Sequence, residues 1–192
     1  MELSGNPSAS GDTGPATHRR PPTLVMMVGL PGTGKTTLAR RIAAKVPLAV
    51  VESDRIRRQL STSPDYSPEE SRRVFDHVHY QIGQLLRQGK HVLFDATNIR
   101  ESNRRKAYHI AESVGARVLI LRTVAPDDEV AKRLEKRGER MDPEDSSEAD
   151  WVVYQRMRAE YQEIRLPHRL VDTTRDLDQV VEEVAALLDG ER

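Results

Sequence analysis

The stretch LVMMVGLPGTGKTTLA, residues 24–39, decides the fold. An apolar run rich in strand-forming residues breaks into a glycine-rich turn, and a helical pattern follows the turn directly. Residues 29–36 fit the pattern G-x-x-x-x-G-K-[ST], in which backbone N–H groups wrap around the phosphates of a nucleotide. The strand before the motif and the helix after it are the context that this motif requires. The sequence therefore predicts a nucleotide-binding site.

Each specified residue of this phosphate-binding loop (P-loop, residues 29–36) has a physical task. Lys35 supplies a positive charge to the outer phosphates, and the hydroxyl of Thr36 is placed to ligate Mg²⁺. The helix that begins here directs the positive end of its dipole at the same point. The residues predicted to bind the nucleotide are Gly29, Pro31, Gly32, Thr33, Gly34, Lys35, Thr36 and Thr37.

Length and composition limit the classes of protein that fit. A chain of 192 residues favours one domain, predicted at residues 23–192, after a disordered tail at residues 1–22 that is rich in Ser, Gly, Pro and Thr. The 30 basic residues balance the 30 acidic ones, so a nucleic-acid substrate would need a local basic groove. The absence of cysteine excludes a disulfide partner and a thiolate metal site. With no membrane-spanning stretch and no secretory signal, we expect a cytoplasmic protein whose oligomeric state is open.

Strand and helix patterns alternate along the chain. Apolar runs predict five strands, at residues 24–28, 48–51, 92–94, 117–121 and 168–171. Helical patterns occupy residues 35–46, 55–60, 68–88, 101–114, 126–137, 148–164 and 176–188. This alternation predicts an α/β fold, a P-loop NTPase with a five-stranded parallel sheet between helices. The polar residues 138–147 predict a mobile flap in a short helical lid. Ligands of such sheets bind beyond the carboxyl ends of the strands.

The second strand is followed by Ser53-Asp54-x-x-Arg57. A carboxylate beside the P-loop can accept the proton of an attacking hydroxyl, which makes Asp54 the predicted catalytic base. Arg57 lies one helical turn further and is predicted to face the same way, where it could hold an anionic group of the substrate. The alternative is that Ser53 or Asp54 caps the short helix and that Arg57 is a surface residue.

The third strand ends in Phe94-Asp95-Ala96-Thr97-Asn98. An apolar strand that ends in an aspartate is the second part of a nucleotide site, because this carboxylate orients Mg²⁺ or a water bound to it. Asp95 and Thr36 are therefore the predicted metal ligands. Asp95, Thr97 and Asn98 are also predicted to bind the substrate, although Thr97 or Asn98 could instead cap the next helix.

Two groups of arginines follow. Arg133 and Arg137 are four residues apart, so both project from one helix face, from which they could bind the nucleotide and stabilise the charge in transfer. Arg137 is the predicted catalytic member of this pair, and an exposed helix end is the alternative. Arg100, Arg104 and Arg105 are predicted to form a solvated helix face rather than to steer a substrate.

These motifs, in this order, resemble the small P-loop kinases of the polynucleotide 5′-kinase type, together with related predicted kinases and the zeta-toxin kinases. The matching stretches, within a resemblance over about residues 23–188, are GLPGTGKTT at 29–37, SDRIR at 53–57, VLFDATN at 92–98 and RLEKRG at 133–138. The resemblance implies ATP as donor, Asp54 as general base, Arg57 on a substrate phosphate and Arg137 on the donor phosphates. The D-A-T-N form of the third strand differs from the phage-type D-T-N, and the D-x-D-G-T phosphatase motif is missing.

The sequence therefore predicts a kinase that uses ATP and Mg²⁺ and transfers the γ-phosphate to a hydroxyl, with the 5′-OH end of DNA or RNA as the preferred acceptor. A small metabolite, nucleotide sugar or antibiotic is the rival acceptor, and the balanced charge favours it. A nucleotide-dependent switch or adaptor is the rival outside the kinases. The sequence has no guanine-selective N-K-x-D motif, which argues against a GTPase switch.

Overall fold

The computed structural model describes residues 21–139 and 150–190. Over these residues five strands and seven helices follow one another as β1 (Thr23–Val28), α1 (Lys35–Lys45), β2 (Ala49–Glu52), α2 (Ser53–Leu60), α3 (Pro68–Arg87), β3 (Val92–Asp95), α4 (Glu101–Ser113), β4 (Arg117–Val124), α5 (Asp127–Glu139), α6 (Trp151–Ala159), β5 (Arg169–Asp172) and α7 (Asp178–Asp189). The predicted tail, except for its last two residues, and most of the predicted flap lie outside the described residues.

The five strands form one parallel sheet in the order β2-β3-β1-β4-β5. The predicted five-stranded parallel sheet is therefore confirmed. β1 occupies the centre, so that its carboxyl end, where the P-loop begins, lies between the ends of β3 and β4. At the β2 side, Glu52 stands in register with Asp95. The side chains that follow these strands are thus brought to one edge of the sheet.

Both faces of the sheet are covered by apolar clusters. Leu24, Met26 and Val28 of β1 face the layer that contains α3 and α4, whereas Val25 and Met27 face the layer that contains α1 and α7. All five side chains are fully buried, as the alternation of side chains along a central strand requires. A third, smaller cluster joins α5 and α6 to Leu30 of the P-loop. In the described part of the chain, no helix has the length and apolarity to cross a membrane.

Two predicted boundaries are wrong by several residues. β4 continues to Val124 rather than ending at residue 121, because β5 pairs along its last four residues. α6 ends at Ala159 rather than at residue 164. Beyond it the backbone N–H of Gln162 donates to the carbonyl of Ile99 at 3.0 Å. Contacts with distant segments therefore determine where β4 and α6 end, and the local sequence pattern does not show those contacts.

Neither of the helix caps considered as an alternative is formed. α2 begins at Ser53 itself, with Glu52 in the N-cap position and no capping bond from its side chain. α4 begins with Arg100 in the N-cap position, again without a side-chain bond. Asn98 lies before that position with φ at 48°, a left-handed conformation that asparagine tolerates better than most residues. The polar residues at these strand ends are therefore released for other contacts.

The predicted solvated face of α4 is wrong for Arg104, whose side chain is fully buried. Its Nε and Nη2 both donate to Oε2 of Glu101, at 3.0 and 2.7 Å. It also donates to four backbone carbonyls at 2.7–3.0 Å, those of Asn98, Ile99, Gln162 and Glu163. Arg104 therefore joins the loop after β3 to the segment after α6, while Arg100 and Arg105 are exposed.

Candidate active site

One cleft lies at the carboxyl edge of the sheet, above β1, β2 and β3. It encloses about 680 Å³ of space, counting its open mouth, and polar side chains form most of its wall. Its lining consists of Pro31, Gly32, Gly34, Lys35, Thr36, Thr37, Arg40, Glu52, Asp54, Asp95, Ala96, Thr97 and Arg137. Residues from the P-loop, from two strand ends and from α5 are thus brought together, as the sequence motifs predicted.

The P-loop takes a conformation that depends on its glycines. Gly32 and Gly34 have φ of 74° and 82°, values that side chains rarely allow. Gly29 is needed for space, since a Cβ there would stand 2.4 Å from the hydroxyl oxygen of Thr123 on β4. The Nζ of Lys35 donates to the carbonyl of Leu30 at 2.9 Å, so the lysine folds back over the loop. The hydrogen bond from Lys35 therefore joins the end of the P-loop to its beginning.

Arg133 contacts the P-loop both directly and through Thr173. Its Nη1 donates to the hydroxyl of Thr173 at 2.9 Å and reaches the carbonyl of Gly32 at 3.5 Å. The same threonine hydroxyl donates to the carbonyl of Thr33 at 3.0 Å. Arg133 was predicted to bind the nucleotide together with Arg137, but only Arg137 lines the cleft. Its contacts make Arg133 a clamp on the P-loop, and direct contact with a nucleotide stays a prediction.

Asp54 lies at the start of α2 and lines the cleft. Burial raises the pKa of this carboxyl above its ordinary value, while the positive charges of Lys35 and Arg57 act against the rise and Asp95 adds to it. A higher pKa makes a carboxylate a stronger base and brings it closer to the range in which general bases operate. The structure thus places a carboxylate with base character beside the P-loop lysine.

Asp95 ends β3 and is buried at the floor of the cleft. The Thr36 hydroxyl lines the same cleft, so the two predicted metal ligands are brought together. No group of three or more His, Cys, Asp or Glu side chains within residues 21–139 and 150–190 is arranged to hold a metal ion. Mg²⁺ in nucleotide sites is held by one or two protein oxygens together with the phosphates. The donor set of Thr36 and Asp95 therefore fits an ion that arrives with a nucleotide.

Arg57 does not line the cleft. It is 6% exposed, and its Nη1 donates to the carboxylate of Glu70 on α3 at 2.7 Å. The ring of Tyr66 covers the guanidinium, with its centre 4.6 Å from Cζ. Arg57 lies close enough to Asp54 to lower the pKa of that carboxyl. The predicted contact of Arg57 with a substrate anion stays a prediction.

Thr97 and Asn98 were both predicted to bind the substrate, but of the two only Thr97 lines the cleft. Thr97 lines the cleft, and its carbonyl accepts from the N–H of Gly29 at 3.0 Å, which joins the loop after β3 to the P-loop. Asn98 is 1% exposed and its Nδ2 donates to the carbonyl of Met27 at 2.8 Å. Asn98 therefore fixes the loop from below the cleft.

The sequence interpretation missed two cleft residues, Arg40 and Glu52. Both carried a signal that could have found them. Arg40 lies four residues after Thr36 on the same helix and so shares its face. Glu52 is the last residue of β2, the position at which parallel strands deliver side chains to the ligand edge.

The arrangement combines the P-loop, three cations and three carboxylates in one cleft. The cations Lys35, Arg40 and Arg137 belong to elements that follow β1 and β4. Of the carboxylates, Glu52 and Asp95 end β2 and β3, and Asp54 lies at the start of α2. Such a site can bind a phosphate chain at one end and withdraw a proton at the other.

Comparison with known proteins agrees with this geometry. Residues 24–164 match the model of a protein family described as an AAA domain, and the chain belongs to that family. No curated protein sequence matches the chain.

Several solved structures share the fold at low sequence identity. The APS kinase CysC of Mycobacterium tuberculosis, in complex with AMPPNP and APS, superposes with a TM-score of 0.68 at 19% identity, covering 88% of this chain and 98% of that chain. A gluconokinase from Sinorhizobium meliloti gives 0.62 at 18%, covering 89% and 94%. Kti12 of Chaetomium thermophilum, in complex with ADP-AlF3, gives 0.67 at 19%, covering 87% and 97%. The chain thus has a P-loop kinase-like fold.

Proposed function

We propose that this member of the AAA domain family is a kinase that uses ATP and Mg²⁺ and transfers the γ-phosphoryl group to a hydroxyl. One observation carries the proposal: the half-buried carboxylate of Asp54 lies in the same cleft as Lys35 and the P-loop. Binding and slow hydrolysis of a nucleotide need the loop and its lysine. A carboxylate with a raised pKa beside the P-loop is needed in addition when an acceptor hydroxyl must lose its proton, because it can act as the general base.

The proposed step is an in-line displacement. The acceptor hydroxyl gives its proton to the carboxylate of Asp54, and its oxygen forms a bond to the γ-phosphorus. The bond from that phosphorus to the β–γ bridging oxygen breaks, and ADP leaves with the electron pair. Because the transition state of phosphoryl transfer is loose, the site contributes mainly by positioning and by electrostatic stabilisation.

The remaining residues of the cleft supply that stabilisation. Lys35 leaves the carbonyl of Leu30 for the phosphates, and Arg137 neutralises charge on the transferring group from the α5 side. Thr36 and Asp95 would hold Mg²⁺, which would offset the negative charge of the phosphates. Arg133 acts indirectly, since it holds the carbonyl side of the P-loop in place.

A small hydroxyl compound is the acceptor that we propose. Two neighbours of the same fold are named as kinases of small molecules, an APS kinase and a gluconokinase. The 5′-OH end of DNA or RNA, preferred from the sequence, finds no support in the comparisons. It also relied on Arg57 as a phosphate receptor, and that guanidinium is paired with Glu70.

The test is transfer of label from [γ-³²P]ATP in the presence of Mg²⁺ to a panel of polyols, sugars, amino alcohols and nucleosides, with a 5′-OH oligonucleotide beside them. We expect label on a small hydroxyl compound with the wild type and none with Asp54→Asn. Glu69→Gln, which removes an exposed carboxylate outside the cleft, is the matched control and should retain transfer. Label on the oligonucleotide alone would identify a nucleic-acid end, rather than a small compound, as the acceptor. Release of free phosphate alone would favour a nucleotide-dependent switch over a kinase.

A further inference from the structure

Arg57, which the sequence predicted to hold an anionic group of the acceptor, forms an ion pair with Glu70. Its Nη1 and the carboxylate of Glu70 are 2.7 Å apart, and the two side chains are 7% and 4% exposed. The same carboxylate oxygen of Glu70 accepts from the backbone N–H of Tyr66 at 2.7 Å. One carboxylate oxygen of Glu70 therefore binds both the guanidinium of Arg57 and the backbone of the loop at residues 61–67.

This arrangement keeps Arg57 away from a ligand. The Tyr66 ring lies over the guanidinium plane, and Tyr66 itself has φ at 54°, so the loop accepts a strained backbone to place it. The Nε of Arg57 is buried without a hydrogen-bond partner. A donor thus remains on the guanidinium, but the enclosure around it prevents an external anion from reaching it.

The charges next to Asp54 are of both signs. The ends of β2 and β3 bring the carboxylates of Glu52 and Asp95 to the cleft, while Lys35 and Arg57 are the cations that lower the pKa of Asp54 most. In the proposed step the donor phosphates engage Lys35, and Arg57 is held in its ion pair. An anion next to Asp54 would then meet the two carboxylates, and its charge would be opposed rather than paired.

We infer that the acceptor is an uncharged or positively charged hydroxyl compound, with no phosphate, sulfate or carboxylate near the reacting hydroxyl, and that Glu70 enforces this choice by withholding Arg57. The inference rests on the proposed kinase function. Glu70 is then a specificity residue that acts through Arg57, although it does not line the cleft.

The first experiment asks whether Glu70 withholds Arg57, and it needs no phosphoryl transfer. Sodium sulfate is titrated calorimetrically into the full chain saturated with AMPPNP and Mg²⁺. Glu70→Gln is expected to bind sulfate about tenfold more tightly than the wild type, or more, because the freed Nη1 joins the unused Nε as a donor pair. Glu69→Gln, an exposed neighbour on the same helix, is the matched control and should behave as the wild type.

Two further variants keep this test decisive. Adding Arg57→Gln to Glu70→Gln should abolish the gained sulfate binding, which assigns it to the arginine. Tyr66→Ala, at an exposed loop residue, uncovers the guanidinium if Glu70→Gln fails to fold, and should also increase sulfate binding. Sulfate affinities within about threefold of each other for the wild type and the variants would overturn the inference.

The second experiment measures acceptor choice with a matched pair, adenosine and adenosine 3′-monophosphate, in which a 5′-OH is offered without and with a phosphate. Binding to the AMPPNP–Mg²⁺ complex is followed by the shift in melting temperature, and transfer by label from ATP. We expect the wild type to bind and phosphorylate adenosine better than adenosine 3′-monophosphate. In Glu70→Gln the difference between the two compounds should be smaller. Preference of the wild type for the phosphorylated partner would overturn the inference. Absence of transfer to any acceptor, with the sulfate result intact, would instead count against the kinase function alone.

Discussion

Arg104→Met should destabilise the fold strongly, although the residue lies outside the cleft. The wild-type guanidinium is fully buried and binds one carboxylate and four backbone carbonyls. Methionine fills much of the volume but donates no hydrogen bond, so these carbonyls lose their partner inside the protein. Removal of one partner from a buried charged network costs about 3–5 kcal/mol. For a chain of this length that corresponds to a fall of about 6–20 °C in melting temperature.

The assay is urea unfolding followed by circular dichroism, with Arg105→Met as the matched control. Arg105 is the next residue on α4 and is exposed, so its replacement should change the free energy of unfolding by about 0.5 kcal/mol or less. If Arg104→Met unfolds within about 1 kcal/mol of the wild type, with an unchanged denaturant slope, the network does not hold the loop after β3, and the reasoning is refuted.

The other predictions concern the cleft. Gly29→Ala should weaken AMPPNP binding in calorimetry by about tenfold, because the added Cβ would stand 2.4 Å from a threonine hydroxyl. Gly115→Ala, outside the cleft, strains the backbone at a φ of 67° but adds a Cβ with no atom within 4 Å, so it should bind AMPPNP as the wild type does. Equal AMPPNP affinities of the two variants would contradict this. Burial raises the pKa of Asp54, so the native state holds this proton more tightly than the unfolded state, and stability falls as pH rises through the raised value. Asp54→Asn should therefore melt at a higher temperature than the wild type above that pKa, and lose its advantage in acid below the ordinary value. A melting difference that does not change with pH would exclude this origin. Arg133→Met should weaken AMPPNP binding by about tenfold by releasing the P-loop, while the exposed Lys132→Met should not; no difference between the two would contradict the clamp.

Local patterns predicted the parts of the site that neighbouring residues determine. The P-loop, Asp54 and Asp95 all follow an apolar strand directly, and a parallel sheet brings such positions to one edge. The helix periods were likewise sufficient to predict a two-layered covering of the sheet. Position along the chain was enough in these cases, because β1 lies next to β3 and the strand ends meet there.

Contacts between distant segments decided the rest. Arg57 has the spacing of a substrate-facing residue, but Glu70, thirteen positions away, takes its guanidinium. Arg104 belongs to a charged helix pattern, yet carbonyls about sixty residues later bury it. The support of the P-loop by Thr173 comes from the loop after the last strand. Charge pattern alone cannot separate a solvated arginine from one that is surrounded by backbone oxygens.

We propose above all that Asp54 activates an acceptor hydroxyl in a nucleotide cleft. The most direct measurement compares γ-phosphoryl transfer from [γ-³²P]ATP by the wild type and by Asp54→Asn, with AMPPNP affinity measured on the same preparations. We expect the transfer rate to fall by about 10²–10⁴ while AMPPNP affinity changes little, since the lost group acts on the acceptor and not on the nucleotide. Equal turnover by the two proteins, with free phosphate as the product, would contradict the account.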